Sequence, residues 1–294
     1  MEIYSLSILI NEHFNLEGIS MKRKIYGFIA VAFSLLLLVG CSSKSSDKGT
    51  TLKIGASAVP HAQILRHVAP ELKKEGVNLK ITTFQDYIMP NKALAGGELD
   101  ANYFQHIPFL KQWNKENKGN LVNAGSVHLE PIGIFSKKVK NLKDLKKGAT
   151  ILVSSNTPDY GRVLTLFKDA GLITIKKGVD ITSANFNDIA SNPRHLKFKH
   201  TFEPKLMAEI YKNGEGDAVV INANYAVQAG LDPRKDSIAL EKQSSPYANI
   251  VVTRKGDQNK PAIKKLMKAL QSKSTQNWIS KHYKGAVLPV KATK

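Results

Sequence analysis

Short apolar runs alternate with longer amphipathic stretches along most of the chain, beginning at residue 52. The short runs favour β-strands, and they lie at residues 52–56, 77–81, 150–153, 196–198, 218–222 and 250–253. The longer stretches have apolar residues at helical spacing and predict helices at residues 61–75, 161–170, 203–211 and 261–270. Pro70 is expected to kink or interrupt the first helix. This alternation predicts an α/β fold with mainly parallel sheets.

The segment before residue 52 has a different pattern. Lys22, Arg23 and Lys24 precede an apolar run, residues 25–40, that ends at Cys41, the only cysteine of the chain. The run is shorter than the ~20 residues that a membrane-spanning helix needs. These features predict a lipoprotein signal peptide at residues 21–40, cleaved before Cys41, whose sulfur would carry the lipid. A plain secretion signal or a signal anchor is the alternative, but it leaves the position of the cysteine unexplained.

The residues on either side of the signal peptide carry no pattern of a folded domain. Residues 1–20 contain acidic groups where a signal peptide has its cationic start, so they predict an upstream extension with Met21 as the true first residue. Residues 41–51 are small and polar, which is typical of a flexible tether. The tether would hold the rest of the chain on the extracytoplasmic face of the cell membrane.

The length and the net charge of the chain restrict its possible domain organisation and binding partners. The chain has 294 residues, whereas single domains cluster near ~100–150 residues, so two lobes are expected. Its net charge is +19, but the lysines are dispersed in short pairs such as Lys73-Lys74 and form no long basic tract. The charge therefore predicts a solvated surface suited to an anionic membrane, and no nucleic-acid site.

The sequence contains none of the common catalytic signatures. G-x-S-x-G, Walker A and G-x-G-x-x-G motifs are absent, and the anchor uses the only cysteine. Several histidines could in principle surround a metal ion, but their spacing matches no recognised zinc motif: His61, His67, His106, His128, His195 and His200. We therefore expect no enzymatic activity and no cofactor, and we favour structural or solvated histidines over a metal site.

Polar and aromatic side chains follow several of the predicted strands. Asp86 and Tyr87 follow one strand, residues 101–106 include Phe104 and His106, and Asn222 closes another strand. Arg162 comes shortly after Thr157-Pro158, a predicted N-cap and N1 pair. Because open α/β sheets bind ligands at the carboxyl ends of their strands, these residues predict a ligand crevice in which Arg162 could hold a carboxylate.

These residues also carry a family resemblance that runs from the signal peptide to the C-terminus. The chain resembles the NlpA-type methionine-binding lipoproteins in the segments QDY at 85–87, GELDANYFQH at 97–106, GR at 161–162, AVVIN at 218–222 and SPYAN at 245–249. The family is that of the substrate-binding component of a methionine ABC transporter. The longest of these segments is too specific for a chance match.

The resemblance implies a bilobal solute-binding protein of the periplasmic-binding-protein type 2 kind, with the ligand in the cleft between two α/β lobes. We place lobe 1 at residues 52–139 plus 245–294 and lobe 2 at residues 140–244. The expected partners are an amino acid, an ABC permease and its ATPase. Carried over to this chain, the family's ligand wall consists of Tyr87, Phe104 and His106, the carboxylate partner is Arg162, and the hydrogen-bonding amides are Asn222 and Asn249.

Several alternatives remain open at this point. Tyr87 and Phe104 could be ordinary core aromatics, and His106 could cap the helix that follows it. The chain has Asp159 where relatives commonly have asparagine, and Phe202 where glutamate is common, so its ligand could be methionine, another amino acid or a short peptide. A metal-binding receptor and an enzyme using the same cleft are the competing classes of function.

Overall fold

The computed structural model describes residues 49–242 and 247–290, and these residues fold around two large β-sheets. The predicted upstream extension, the signal peptide and Cys41 lie outside the described residues. No helix within these two ranges is long and apolar enough to cross a membrane. The strands are β1 (Thr50–Ser57), β2 (Val77–Phe84), β3 (Ala101–His106), β4 (Val122–Leu129), β5 (Gly133–Phe135), β6 (Thr150–Ser154), β7 (Thr174–Ile175), β8 (Ile189–Ser191), β9 (Lys197–Phe202), β10 (Ala218–Ile221), β11 (Ser237–Leu240), β12 (Ala248–Thr253) and β13 (Leu288–Pro289).

Helices cover the faces of these sheets. They are α1 (His61–Lys74), α2 (Met89–Ala95), α3 (Ile107–Asn117), α4 (Tyr160–Asp169), α5 (Met207–Lys212), α6 (Ala223–Gln228), α7 (Pro233–Asp236), α8 (Pro261–Leu270) and α9 (Lys273–Tyr283). Helix α1 buries Ile64, Leu65, Val68 and Leu72, the face that its sequence predicts. The helix continues through Pro70 without interruption, since the proline ring lies on its exposed side. The helix loses only the backbone hydrogen bond that the missing N–H of Pro70 would have made.

The first sheet has the strand order β13-β4-β12-β3-β1-β2. Strand β1 pairs in parallel with β2 and β3, whereas β12 pairs antiparallel with β3 and β4. The second sheet, β11-β5-β10-β6-β9, is mixed in the same way. The expectation of mainly parallel sheets was therefore wrong. Only residues 241–247 separate β12 from β11 of the second sheet, which is too short a connection for a crossover helix of the kind that joins parallel strands.

The chain crosses between the two sheets twice, after β4 and after β11. The first crossing was expected at residue 139, but β5 pairs with β10 and lies in the second sheet. The crossing therefore lies between Leu129 and Gly133. Strand β5 was not predicted because a buried strand of three residues is too short to show an alternation of apolar and polar residues.

Two further boundaries differ from the sequence analysis. Strand β1 begins at Thr50, which pairs with Val77, so the last predicted tether residues already belong to the sheet. The helix expected at residues 203–211 is a 3-10 turn, Pro204–Leu206, followed by α5. Pro204 begins this turn, where its missing backbone N–H leaves no bond unmade.

Candidate ligand-binding site

A cavity of about 30 Å³ lies where the strand ends of the two sheets meet. Its lining includes every ligand-contacting residue predicted from the sequence, together with residues that were not predicted. The lining residues are Tyr87, Phe104, Gln105, His106, Phe109, Glu130, Asn156, Asp159, Arg162, Asn222, Ala223, Asn224 and Asn249.

His106 belongs both to a helix cap and to the cavity. It ends β3 and is the N-cap of α3, where its Nδ1 accepts a hydrogen bond from the backbone N–H of Phe109 at 3.2 Å. Because Nδ1 is the acceptor, the ring hydrogen lies on Nε2, which donates to Asp159 Oδ1 at 3.1 Å. The capping role considered from the sequence is therefore present, and it orients the ring towards the cavity.

Aromatic rings form one wall of the cavity. The ring of Tyr87 lies 6.1 Å from those of Phe104 and Phe109 and 5.2 Å from that of Tyr225. Its hydroxyl donates to Asn224 Oδ1 at 2.6 Å. Burial raises the pKa of Tyr87, so the hydroxyl remains a neutral donor. The wall joins elements of both sheets, because Tyr225 and Asn224 lie in α6, the helix that follows β10 of the second sheet.

Arg162 lies in α4 and is buried. Its Nε lies 3.1 Å from both carboxylate oxygens of Glu241, its Nη1 donates to Asp159 Oδ1 at 3.1 Å, and its Nη2 donates to the Glu130 carbonyl at 2.6 Å. The Tyr247 ring lies 4.9 Å from the guanidinium carbon. Burial alone would lower the pKa of Arg162, but Glu241 and Asp159 raise it above its ordinary value. The guanidinium is therefore charged, and the protein's own acids already bind most of its donors.

The turn before α4 differs from the predicted cap. A 3-10 turn, Thr157–Asp159, precedes the helix, with Asn156 as its N-cap and Pro158 in its first positions. Thr157 is therefore no N-cap; its hydroxyl accepts a hydrogen bond from Gln112 at 2.5 Å. The extra turn places Asp159 directly before the helix and inside the cavity.

Asp159 is the most heavily hydrogen-bonded carboxylate of the cavity. It is 1% exposed. Its Oδ1 accepts from His106 and Arg162, and its Oδ2 accepts from the amides of Asn156 at 2.6 Å and Asn222 at 2.8 Å. Burial alone would raise the pKa of Asp159, but the hydrogen bond from His106 and the charge of Arg162 hold it well below its usual range. This carboxylate is ionised throughout the physiological pH range.

A buried hydrogen-bond network supports the floor of the cavity. Glu130 Oε1 lies 2.7 Å from His128 Nε2 and 3.2 Å from His61 Nε2, and His61 Nε2 also lies 2.9 Å from Asn249 Oδ1. The Tyr103 hydroxyl bonds His128 Nδ1. Burial lowers the pKa of His61 to about 4 and that of His128 to about 3, and burial raises the pKa of Glu130. Both imidazoles are therefore neutral at pH 7 and donate from Nε2.

The same three groups have the composition of a metal site. One ligand atom from each of His61, His128 and Glu130 lies within 4.8 Å of the others. Separations of 2.7 and 3.2 Å between nitrogen and oxygen are those of hydrogen bonds. Two ligand atoms about 2.0–2.2 Å from a tetrahedral metal ion would lie roughly 3.3–3.6 Å apart, farther than His128 Nε2 lies from Glu130 Oε1. The geometry fits a network that holds Asn249 in place.

Comparison with known proteins identifies the family. The sequence model of the family described as NlpA lipoprotein matches residues 52–291. The chain belongs to the NlpA lipoprotein family. This confirms the resemblance found in the sequence.

Named members of the family and solved structures resemble the chain over most of its length. Methionine-binding lipoprotein MetQ of Bacillus subtilis is 47% identical over 92% of this chain and 99% of the relative. A pheromone cOB1 precursor/lipoprotein from Enterococcus faecalis is 56% identical, with a TM-score of 0.80 over 82% of this chain and 100% of that one. A nutrient-binding protein from Burkholderia cenocepacia, whose structure is bound to methionine, is 40% identical, with a TM-score of 0.76 over 81% and 99% of the two chains.

Several residues around the cavity of this NlpA lipoprotein were not predicted from the sequence. Glu130 directly follows β4, and Asn224 lies two residues beyond Asn222, so the strand-end rule that selected Asn222 could also have selected them. Glu241, which follows β11, binds Arg162 from outside the lining. The strand-end rule also applies to Glu241, but it does not indicate which residue Glu241 contacts.

Proposed function

We propose that this NlpA lipoprotein is the substrate-binding protein of an ABC importer and that its ligand is an amino acid, most simply methionine. The observation that carries the proposal is the cavity between the two sheets, where an aromatic wall faces buried charged and amide groups. Ligand sites typically combine an apolar lining with a few fixed polar groups in this way. The methionine bound to the Burkholderia relative and the name of the Bacillus relative support the same ligand.

The two ends of the cavity suit the two ends of methionine. Tyr87 and Phe104 would contact the thioether side chain, since sulfur packs favourably against aromatic rings. Arg162 has a second hydrogen on Nη1 beyond the one given to Asp159, and this hydrogen would bind the ligand carboxylate. Asn222 and Asn249, with His106, would complete the polar end.

Ligand access requires movement of the cavity walls. The cavity of about 30 Å³ has room for about two ordered water molecules, since each needs roughly 10–15 Å³ of such space. An amino acid is much larger, so the two sheets or their side chains must separate to admit it. The crossing between β4 and β5, residues 130–132, is the natural hinge for such a motion.

The remaining parts of the proposal concern location and partners. Cys41 would carry the lipid that anchors the chain to the outer face of the cell membrane, and residues 42–49 would provide reach. A permease and its ATPase would receive the ligand from the closed protein. This is a receptor role without catalysis, in keeping with the family's description as lipoproteins and with relatives named for binding.

Calorimetry with methionine and alanine tests the ligand assignment. Phe104→Ala should weaken methionine binding by about 1.5–3 kcal/mol, because it removes part of the apolar wall, and should affect alanine less. The matched control is Phe186→Ala, whose ring stacks on Phe198 outside the cavity lining. Equal affinity of the wild type for methionine and alanine would contradict the assignment. Mass spectrometry of small molecules released by denaturation would then identify the natural ligand.

A further inference from the structure

Carboxyl groups outnumber permanently charged cations around the cavity. Among the described lining residues, Arg162 is the only lysine or arginine, whereas Asp159 and Glu130 both contribute carboxyl groups. A third carboxylate, that of Glu241, binds the guanidinium from behind. An excess of buried negative charge is unfavourable unless a cation balances it.

The three acids differ in what they can offer a ligand. Glu241 is engaged at both oxygens by Arg162 and lies outside the lining. Glu130 directs one oxygen to His61 and His128. Asp159 faces the cavity, and its Oδ2 is bound only by the amides of two asparagines.

A ligand group can replace the two hydrogen bonds that these side-chain amides donate to Asp159 Oδ2. Asn156 and Asn222 donate to Asp159 as neutral groups, and each side chain can rotate to present its other hydrogen or its oxygen elsewhere. An ammonium group is a stronger partner for a carboxylate than a neutral amide is. The bonds from His106 and Arg162 to Oδ1 would remain and keep the carboxylate in place.

We propose that Asp159 accepts the ligand's ammonium group at Oδ2 and thereby makes a free amino group the main requirement for binding. This inference rests on the proposed function, because it assigns a partner to the second charged group of an amino-acid ligand. The amides displaced from Oδ2 become free to bind the ligand carboxylate beside Arg162. An asparagine at this position could offer an oxygen but no charge, so Asp159 makes the chain more selective than that alternative.

The test compares two ligands that differ only in the amino group. Methionine and 4-(methylthio)butanoate, in which hydrogen replaces the amino group, are titrated into the wild type and into Asp159→Asn. The wild type should prefer methionine by about a hundredfold or more, the usual scale for a buried charge left without its partner. Asp159→Asn should lose most of this preference. It should bind methionine more weakly and the desamino compound more tightly, because the repulsion between two carboxylates is removed.

The opposite signs of these two changes separate recognition from damage, since a misfolded cavity would weaken both ligands. Asp144→Asn makes the same charge change at an exposed position outside the lining and should leave both affinities unchanged. Should Asp159→Asn fail to fold, Asp159→Ser supplies the same comparison. An undiminished preference in the variants would overturn the proposal, and so would loss of the preference in Glu130→Gln instead. A wild type that binds neither ligand contradicts the proposed function, whereas one that binds both equally contradicts only the role of Asp159.

Discussion

Replacing Arg162 by alanine should destabilise the folded protein strongly. The side chain is 4% exposed and is the shared partner of two carboxylates, Asp159 at 1% exposure and Glu241 beside it. Removing one partner of a buried ion pair costs about 3–5 kcal/mol, because the remaining charge is left desolvated. At about 2–4 °C per kcal/mol for a chain of this size, the midpoint of thermal unfolding should fall by about 6–20 °C.

Thermal unfolding followed by circular dichroism at pH 7 measures this loss. The matched control is Arg234→Ala, whose partner Asp232 lies 3.2 Å away in an exposed pair that is worth about 1 kcal/mol or less. The folded-state pKa of Asp159 is depressed, so its stabilising contribution is present above the ordinary aspartate pKa of 3.8 and is lost as the pH falls below it. The difference in unfolding midpoint between wild type and Arg162→Ala should therefore become smaller in acid. Equal midpoints for Arg162→Ala and Arg234→Ala at pH 7 would refute this account of the buried pair.

Three further predictions concern the anchor, the motion and the buried histidines. In cell fractionation, Cys41→Ala should either leave the membrane fraction or keep its signal peptide uncleaved, since stable membrane retention needs several acyl chains. A variant that is cleaved and still stays in the membrane fraction would contradict the anchor. Small-angle scattering should give a smaller radius of gyration with saturating methionine than without it, and identical profiles would argue against a closing cleft. Burial depresses the pKa of His128 from 6.5 to about 3, so its stabilising effect is full above pH 6.5 and falls in acid. When the pH falls from 6.5 to 4, the free energy of unfolding measured in urea should drop by about 3 kcal/mol more for the wild type than for His128→Gln. An equal drop in both proteins would show that His128 does not take up a proton on unfolding. The raised pKa of Glu130 offsets part of the acid loss in both proteins.

The strand-end rule predicted much of the cavity because it depends on local pattern and a general property of sheets. Asn222 follows β10 and His106 ends β3, and both side chains line the cavity as expected. Tyr87 was harder to judge, because an aromatic residue after a strand is more often part of a core. The structure gives it both roles, with rings packed around it and its hydroxyl bonded to Asn224.

The wrong expectations share a physical origin. Strand β5 is buried, and its three residues are too few to show a period, so the first crossing was placed too late in the chain. The antiparallel pairing of β12 depends on the direction from which the chain returns, which apolar periodicity does not encode. The cap before α4 was misplaced because Pro158 fits the early positions of a 3-10 turn as well as those of an α-helix.

By itself, the sequence determined the α/β alternation, the amphipathic face of α1, the family and the set of side chains at the strand ends, since each depends on residues close together in the chain. Only the tertiary structure decided which of those side chains meet. Glu241 and Arg162 are 79 residues apart, and His61 and Asn249 are 188 apart. Pairing at such separations follows from strand order and from the two crossings between the sheets, and these are fixed by packing of the whole fold. The charge balance of the cavity, and with it the position of Asp159, is therefore a property of the folded chain.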